Sequence, residues 1–315
     1  MAAAKKKKDP KPNSGLGSAR ARLFAGLRPL YRPVTLATAA VVVLAGILLP
    51  HFVGRVPDLS GRPEYQLSSA DIEISQPPHW VPRDLLNRVI ENADLPEKLR
   101  LLDDSLAQEI ASAFESNPWV EEVVSVRKAY PARIAVDLKY REPVAMVEVH
   151  KGQQPIDRQG VLLPAQDFSV SESRTYPVIT GVASTPQGPA GSTWGDKVVE
   201  DAAQLAVALG PVWKKLGLVA IACPASTADR AKIDEGVFVL VSKGGSRILW
   251  GHAPGSDHPG ELETRQKLGR LEDYVKRFGS FDHPQGPYRI DIRHWRDISR
   301  TPLSAHGGTT EIFRL

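Results

Sequence analysis

One stretch limits this chain more than any other. From Val34 to Val53, twenty residues pass without an Asp, Glu, Lys or Arg. A helix of about 20 residues is about 30 Å long, the hydrocarbon thickness of a bilayer. The strongly apolar part is Val34–Leu49; Pro50 and His51 would fall at the far interface, and Tyr31 and Arg32 at the near one. Residues 1–33 carry nine Lys/Arg against the single acid Asp9, a charge of +8. Positive flanks stay on the cytoplasmic side. The sequence therefore predicts a transmembrane helix over 34–53 in a single-pass, type II protein of the cell inner (plasma) membrane. Its N-terminus would be cytoplasmic and its C-terminal domain periplasmic or extracytoplasmic. A buried core helix would need no basic leader. A cleaved signal peptide would have an unusually long basic region and no small-x-small site after Leu49. Lys5–Lys8 fits a lipid-attracting tail better than a nucleic-acid patch.

The charge split also excludes a class of partner. Residues 54–315 hold 31 basic and 35 acidic residues, so the pI of about 9.1 belongs to the tail and nucleic acid is not an expected partner. With one cysteine, Cys223, the chain has no internal disulfide framework and no multi-cysteine metal site.

The domains follow from pattern. Residues 1–33 read as a disordered basic cytoplasmic tail and 54–66 as a Pro/Gly linker. In 67–148, Ile72 and Ile74 alternate with acids, a short strand. Leu85, Leu86, Val89 and Ile90 make one helical stripe; Leu106, Ile110, Ala113 and Phe114 make a second, with Ser105 and Gln108 fitting a capping box. Val124 and Val126, then Ile134, Val136, Leu138 and Tyr140, make two strands about a turn at Ala129–Ala132. This is strand–helix–helix–strand–strand, with two helices on one face of a three-stranded sheet. From about 144, through the second domain at 149–298, the chain turns mainly to strands: Val144–Val149, Val161–Leu163, Tyr176–Val182, Leu218–Ala222, Ala231–Asp234, Val237–Ser242, Ser246–Trp250 and Tyr288–Ile292. Helices fit Asp196–Lys215 and Glu261–Phe278, the latter stopped by Gly279. Residues 299–315 read as a tail. The fold class is α+β: a transmembrane helix, the strand–helix–helix–strand–strand module, then a mainly antiparallel β domain with flanking helices.

No catalytic constellation stands out. The chain has no Gly-x-Ser-x-Gly elbow and no phosphate-binding Walker loop, and Gly15-Leu16-Gly17 lacks a third glycine. His252, Asp257 and His258 sit in a Pro/Gly-rich loop without the i, i+4 spacing of a helical zinc site. His283 and His294 are isolated, and Cys223 beside Pro224 reads as a buried thiol. No catalytic residue, metal, cofactor or small-molecule substrate is expected.

Several motifs in order carry a resemblance. Asn117-Pro118-Trp119-Val120, Val124-Ser125-Val126-Arg127, Tyr130-Pro131 and Arg141-Glu142-Pro143-Val144-Ala145 are followed by Ile156-Asp157-Arg158-Gln159-Gly160-Val161. Then come Tyr176-Pro177-Val178-Ile179-Thr180-Gly181, Lys267-Leu268 and Ile290-Asp291-Ile292-Arg293. In this order the chain resembles the bacterial cell-division proteins FtsQ and DivIB over about 34–298. The resemblance implies that 67–148 is a POTRA-like domain and 149–298 an FtsQ-type β domain. It also implies a non-catalytic scaffold of the division septum, linking the proteins of septal cell-wall synthesis. The implied partners are FtsB/FtsL-like single-pass coiled-coil proteins. Their binding edge would fall on the last strand: Tyr288, Arg289, Ile290, Asp291, Ile292, Arg293 and Trp295. Alternatives are an envelope assembly factor with a POTRA-like domain, or a membrane-anchored enzyme with an unrecognised site. The stretches 183–195 and 251–260 depart from the family pattern, and the tail after Asp297 lacks its basic-aromatic continuation.

Overall fold

The computed structural model describes residues 33–53, 62–68, 71–93, 95–96, 98–224, 237–256, 258–303 and 311–314. Its residues divide into two units, 1–61 and 62–315.

Within the first unit, helix α1 (Pro33–Val53) forms, with Val34, Val41, Val42 and Ile47 exposed. Yet among the described residues no helix is long and apolar enough to cross a membrane. This overturns the expected transmembrane helix, and with it the inner-membrane, type II localisation. The physical reason lies in the length of the apolar run. Residues 34–49 are 16 residues before Pro50 and His51. At 1.5 Å per residue they reach about 24 Å, short of the roughly 30 Å a bilayer core asks for. The basic tail lies outside the described residues.

The second unit opens with a single turn at Pro63–Tyr65 and a short ribbon, β1 (Gln66–Leu67). Then follow β2 (Ile72–Ile74), α2 (Leu85–Asn92), β3 (Leu99–Arg100), α3 (Leu106–Glu115), β4 (Val120–Ala129) and β5 (Arg133–Tyr140). The sheet order is β2-β5-β4, with β2 parallel to β5 and β4 antiparallel to it. β1 pairs with β3 apart from that sheet. The expected stripes are the ones buried: Leu85 and Val89, then Leu106, Ile110, Ala113 and Phe114. They share one core with Ile134, Val136 and Leu138. Alternation in β5 puts these three inward, as period 2 requires. The capping box expected at Ser105 is not formed. The Ser105 hydroxyl donates to Glu109 Oε1 at 2.6 Å, with Asp103 Oδ1 also within reach, instead of accepting from the helix backbone.

The rest of the unit is one nine-stranded sheet. In chain order its elements are β6 (Pro143–Val149), β7 (Gly152–Asp157), α4 (Val170–Ser173), β8 (Val178–Thr180), α5 (Lys197–Leu216) and β9 (Leu218–Ala222). They continue with β10 (Phe238–Ser242), β11 (Arg247–Gly251), α6 (Thr264–Phe278), β12 (Tyr288–Asp291), β13 (Asp297–Pro302) and β14 (Glu311–Arg314). The spatial order is β14-β13-β12-β11-β10-β9-β8-β6-β7. The pairs β6·β8, β8·β9 and β11·β12 are parallel; the others are antiparallel. Parallel neighbours need a crossover. α5 carries the chain from β8 to β9, and α6 from β11 to β12. α5 buries Val199, Ala202, Leu205, Leu209 and Trp213 in one core with Ile179, Ile221, Leu240 and Ile290. It starts where the Asp196 carboxylate accepts from Val198 N–H at 2.9 Å and stops at Gly217, φ 66°.

Three expectations shift. β6 falls inside 67–148 but for Val149, yet pairs only with β7 and β8, so the boundary between the two sheets lies at Arg141–Glu142. Of the expected tail, residues 299–302 belong to β13 and 311–314 to β14. Val161 and Leu162 make isolated bridges, not a strand. The strand expected at 231–234 lies outside the described residues.

Candidate functional site

The motif residues converge where the two sheets meet. Arg141 leaves β5, and its guanidinium reaches Asp157 Oδ2 at 2.7 Å, both side chains largely shielded. The other oxygen, Asp157 Oδ1, accepts from the N–H groups of Gln159 and Val161, closing the turn after β7. Glu121 on β4 binds both Lys139 and Arg158. Its burial raises its pKa, but the two cations outweigh that and hold the carboxyl below its usual range. Trp119, buried, donates from Nε1 to Asp167 Oδ2 and stacks on Phe168; Arg88 takes Asp167 Oδ1. Trp119 is therefore a packing residue. Beside these contacts runs a groove of about 720 Å³, lined by Tyr140, Glu142, Tyr176, Val207 and Lys214 among others.

The expected partner edge, 288–295, is not an edge. β12 lies inside the sheet, with β11 on one side and β13 on the other. Ile290 and Ile292 are fully buried, and Tyr288 nearly so. Tyr288 N–H donates to Ser246 Oγ at 2.8 Å. Arg289 and Arg293 are half-buried. Asp291 is buried, which alone would raise its pKa. Arg293 donates to it from its backbone N–H, Nε and Nη2, and the net direction is down. Only Trp295 of the seven is open, 69% exposed, with the Arg296 guanidinium 4.5 Å from its ring. The physical reason for the misplacement is β13. Its sequence, Asp297-Ile298-Ser299-Arg300-Thr301-Pro302, is polar, and its strand character comes from pairing rather than from apolar alternation.

Two arginines that sequence reasoning passed over shape this end of the sheet. Arg270 on α6 donates to the carbonyls of Ile292, His294 and Trp295, and so holds the turn that presents Trp295. Arg300 on β13 is buried. It pairs with Glu311 on β14, and its guanidinium lies 4.6 Å from the Tyr288 ring and 5.0 Å from those of Phe278 and Phe313. The signal available was spacing alone: Arg270 follows Lys267 by three on the same helix face. Among the described residues the sheet ends at β14, where Ile312 is 69% exposed, and at β7 on the opposite side.

The remaining candidates separate. Burial pushes the Cys223 thiol up to about 12, helped by the Asp196 charge, so it carries almost no thiolate at neutral pH. His283 and His294 are exposed. His252 and His258 come together with Glu261, a residue not expected there. Asp257 lies outside the described residues.

No family model matches the chain. One stretch is similar to a cell division protein FtsQ from Koribacter versatilis (strain Ellin345), at 38% identity over 68 residues. That is 22% of this chain, which spans 19% of the relative's length.

Proposed function

We propose that this chain is a non-catalytic cell-division protein that works by binding other division proteins. The observation that carries the reading is the partial similarity to a cell division protein FtsQ. The strand–helix–helix–strand–strand order over 72–140 supports a POTRA-like module. An open strand at the end of a long sheet supports recognition by strand addition, in which backbone groups give affinity and alternate side chains give selection. The partner edge in this reading is β14, which carries the exposed Ile312, with the exposed Trp295 in the Arg270-held turn before β13. The partner is an FtsB/FtsL-like coiled-coil protein that adds a strand there.

In-cell photocrosslinking from a probe at Ile312, with mass spectrometry of the product, tests this. The expected product is one small coiled-coil division protein, and Trp295→Ala weakens its yield. Crosslinks to many unrelated unfolded chains would instead favour an assembly factor, and no crosslink from either Ile312 or Trp295 would reject the edge.

A further inference from the structure

We propose that His252, His258 and Glu261 form a binding site for a divalent ion of the zinc class. Each residue offers one ligand atom, and these atoms lie within 4.8 Å of one another. Ligands about 2.0–2.2 Å from a tetrahedral ion stand roughly 3.4 Å apart, so the three need to close by at most about 1.4 Å.

The carboxylate is held in place. His252 N–H donates to Glu261 Oε1 at 2.7 Å, and the buried Lys267 ammonium pairs with the same oxygen. Oε2 then faces His252 Nδ1 at 2.6 Å. This arrangement needs Gly251, φ +101°: a Cβ there would run into Glu261 Oε1.

The imidazoles are also arranged. The His252 and His258 rings stack with centroids 4.1 Å apart and planes 12° from parallel. Two ring nitrogens and one carboxylate oxygen suit zinc, cobalt, nickel or copper; magnesium and calcium take oxygens. His252 also lines a cavity of about 630 Å³ with Asp196, Lys197, Asp201 and Gln204. Three protein ligands leave coordination positions for water.

The test is a Co²⁺ titration of the full chain, purified without a polyhistidine tag, followed by visible absorption and by displacement with Zn²⁺. The expected result is one Co²⁺ per chain with ligand-field bands of a four- or five-coordinate ion, lost on adding one equivalent of Zn²⁺ and unmoved by Mg²⁺. His258→Ala and Glu261→Gln each weaken binding at least tenfold, while His150→Ala, at an exposed histidine away from the site, leaves it unchanged. His258 is exposed, so its variant keeps the fold even if Glu261→Gln does not. Absence of saturable binding at one ion per chain, or an unchanged affinity in His258→Ala, overturns the site.

Discussion

Asp157 shows how much one residue can settle. One oxygen closes the turn after β7 and the other receives Arg141 from β5, so a single carboxylate ties a local turn to the meeting of two sheets. Its side chain is 3% exposed and that of Arg141 14%. Removing one partner of a shielded pair strands the other charge. Arg141→Ala therefore lowers stability by about 3 kcal/mol, read as a shift of the urea midpoint at constant slope. Asp291 makes a prediction of a different kind. Burial raises its pKa and Arg293 more than reverses this, so the folded value lies below the ordinary 3.8. A depressed folded pKa contributes stability that is full above the unfolded value and is lost as pH falls through the folded one. Between pH 6 and pH 3 the urea midpoint of the wild type should fall more than that of Asp291→Asn. An equal fall in both would remove Asp291 from the account. The motif residues at the sheet junction were legible as a set because turn and helix-end chemistry writes Pro118, Asp157 and Gly160 into the sequence. The Arg300 cluster was not, because its three rings come from α6, β12 and β14 and meet only in the fold.

At the scale of elements, helices and long strands carried their own signal. α5 has a stripe from Val199 to Leu216, an Asp196 cap and a glycine stop, and each feature is local. Gly217→Ala tests the stop alone, since a Cβ there meets nothing within 4 Å. The cost is purely of backbone and should be about 1 kcal/mol, with Gly217→Asn milder; chemical denaturation measures both. Strands that lack alternation were missed for a physical reason. β7, with two glutamines and Pro155, and β13, with two charges and a proline, are strands because a neighbour pairs with them. An edge is therefore the least legible property of a sheet. β12 alternates like a last strand, but β13 and β14 follow it. Arg300→Ala should release β14, and hydrogen exchange at 311–314 should rise at least tenfold while α5 stays protected. Equal exchange in the variant would mean that pairing alone holds the edge.

For the molecule as a whole, charge and hydropathy led furthest astray, because an uncharged run measures absence of charge and not the length of strongly apolar helix. Pattern and motif order led closer, to an α+β chain with a strand–helix–helix–strand–strand module ahead of a larger mixed sheet. The central claim is a division role carried by contact. Depletion of this chain in its own cells, followed by imaging of cell length, tests it most directly. The account predicts filaments without septa, rescued by the wild type but not by a chain carrying both Ile312→Glu and Trp295→Ala that accumulates to the same level. Normal septation after depletion would contradict a role in division, and full rescue by the double variant would contradict the β14 edge as the place where that role is exercised.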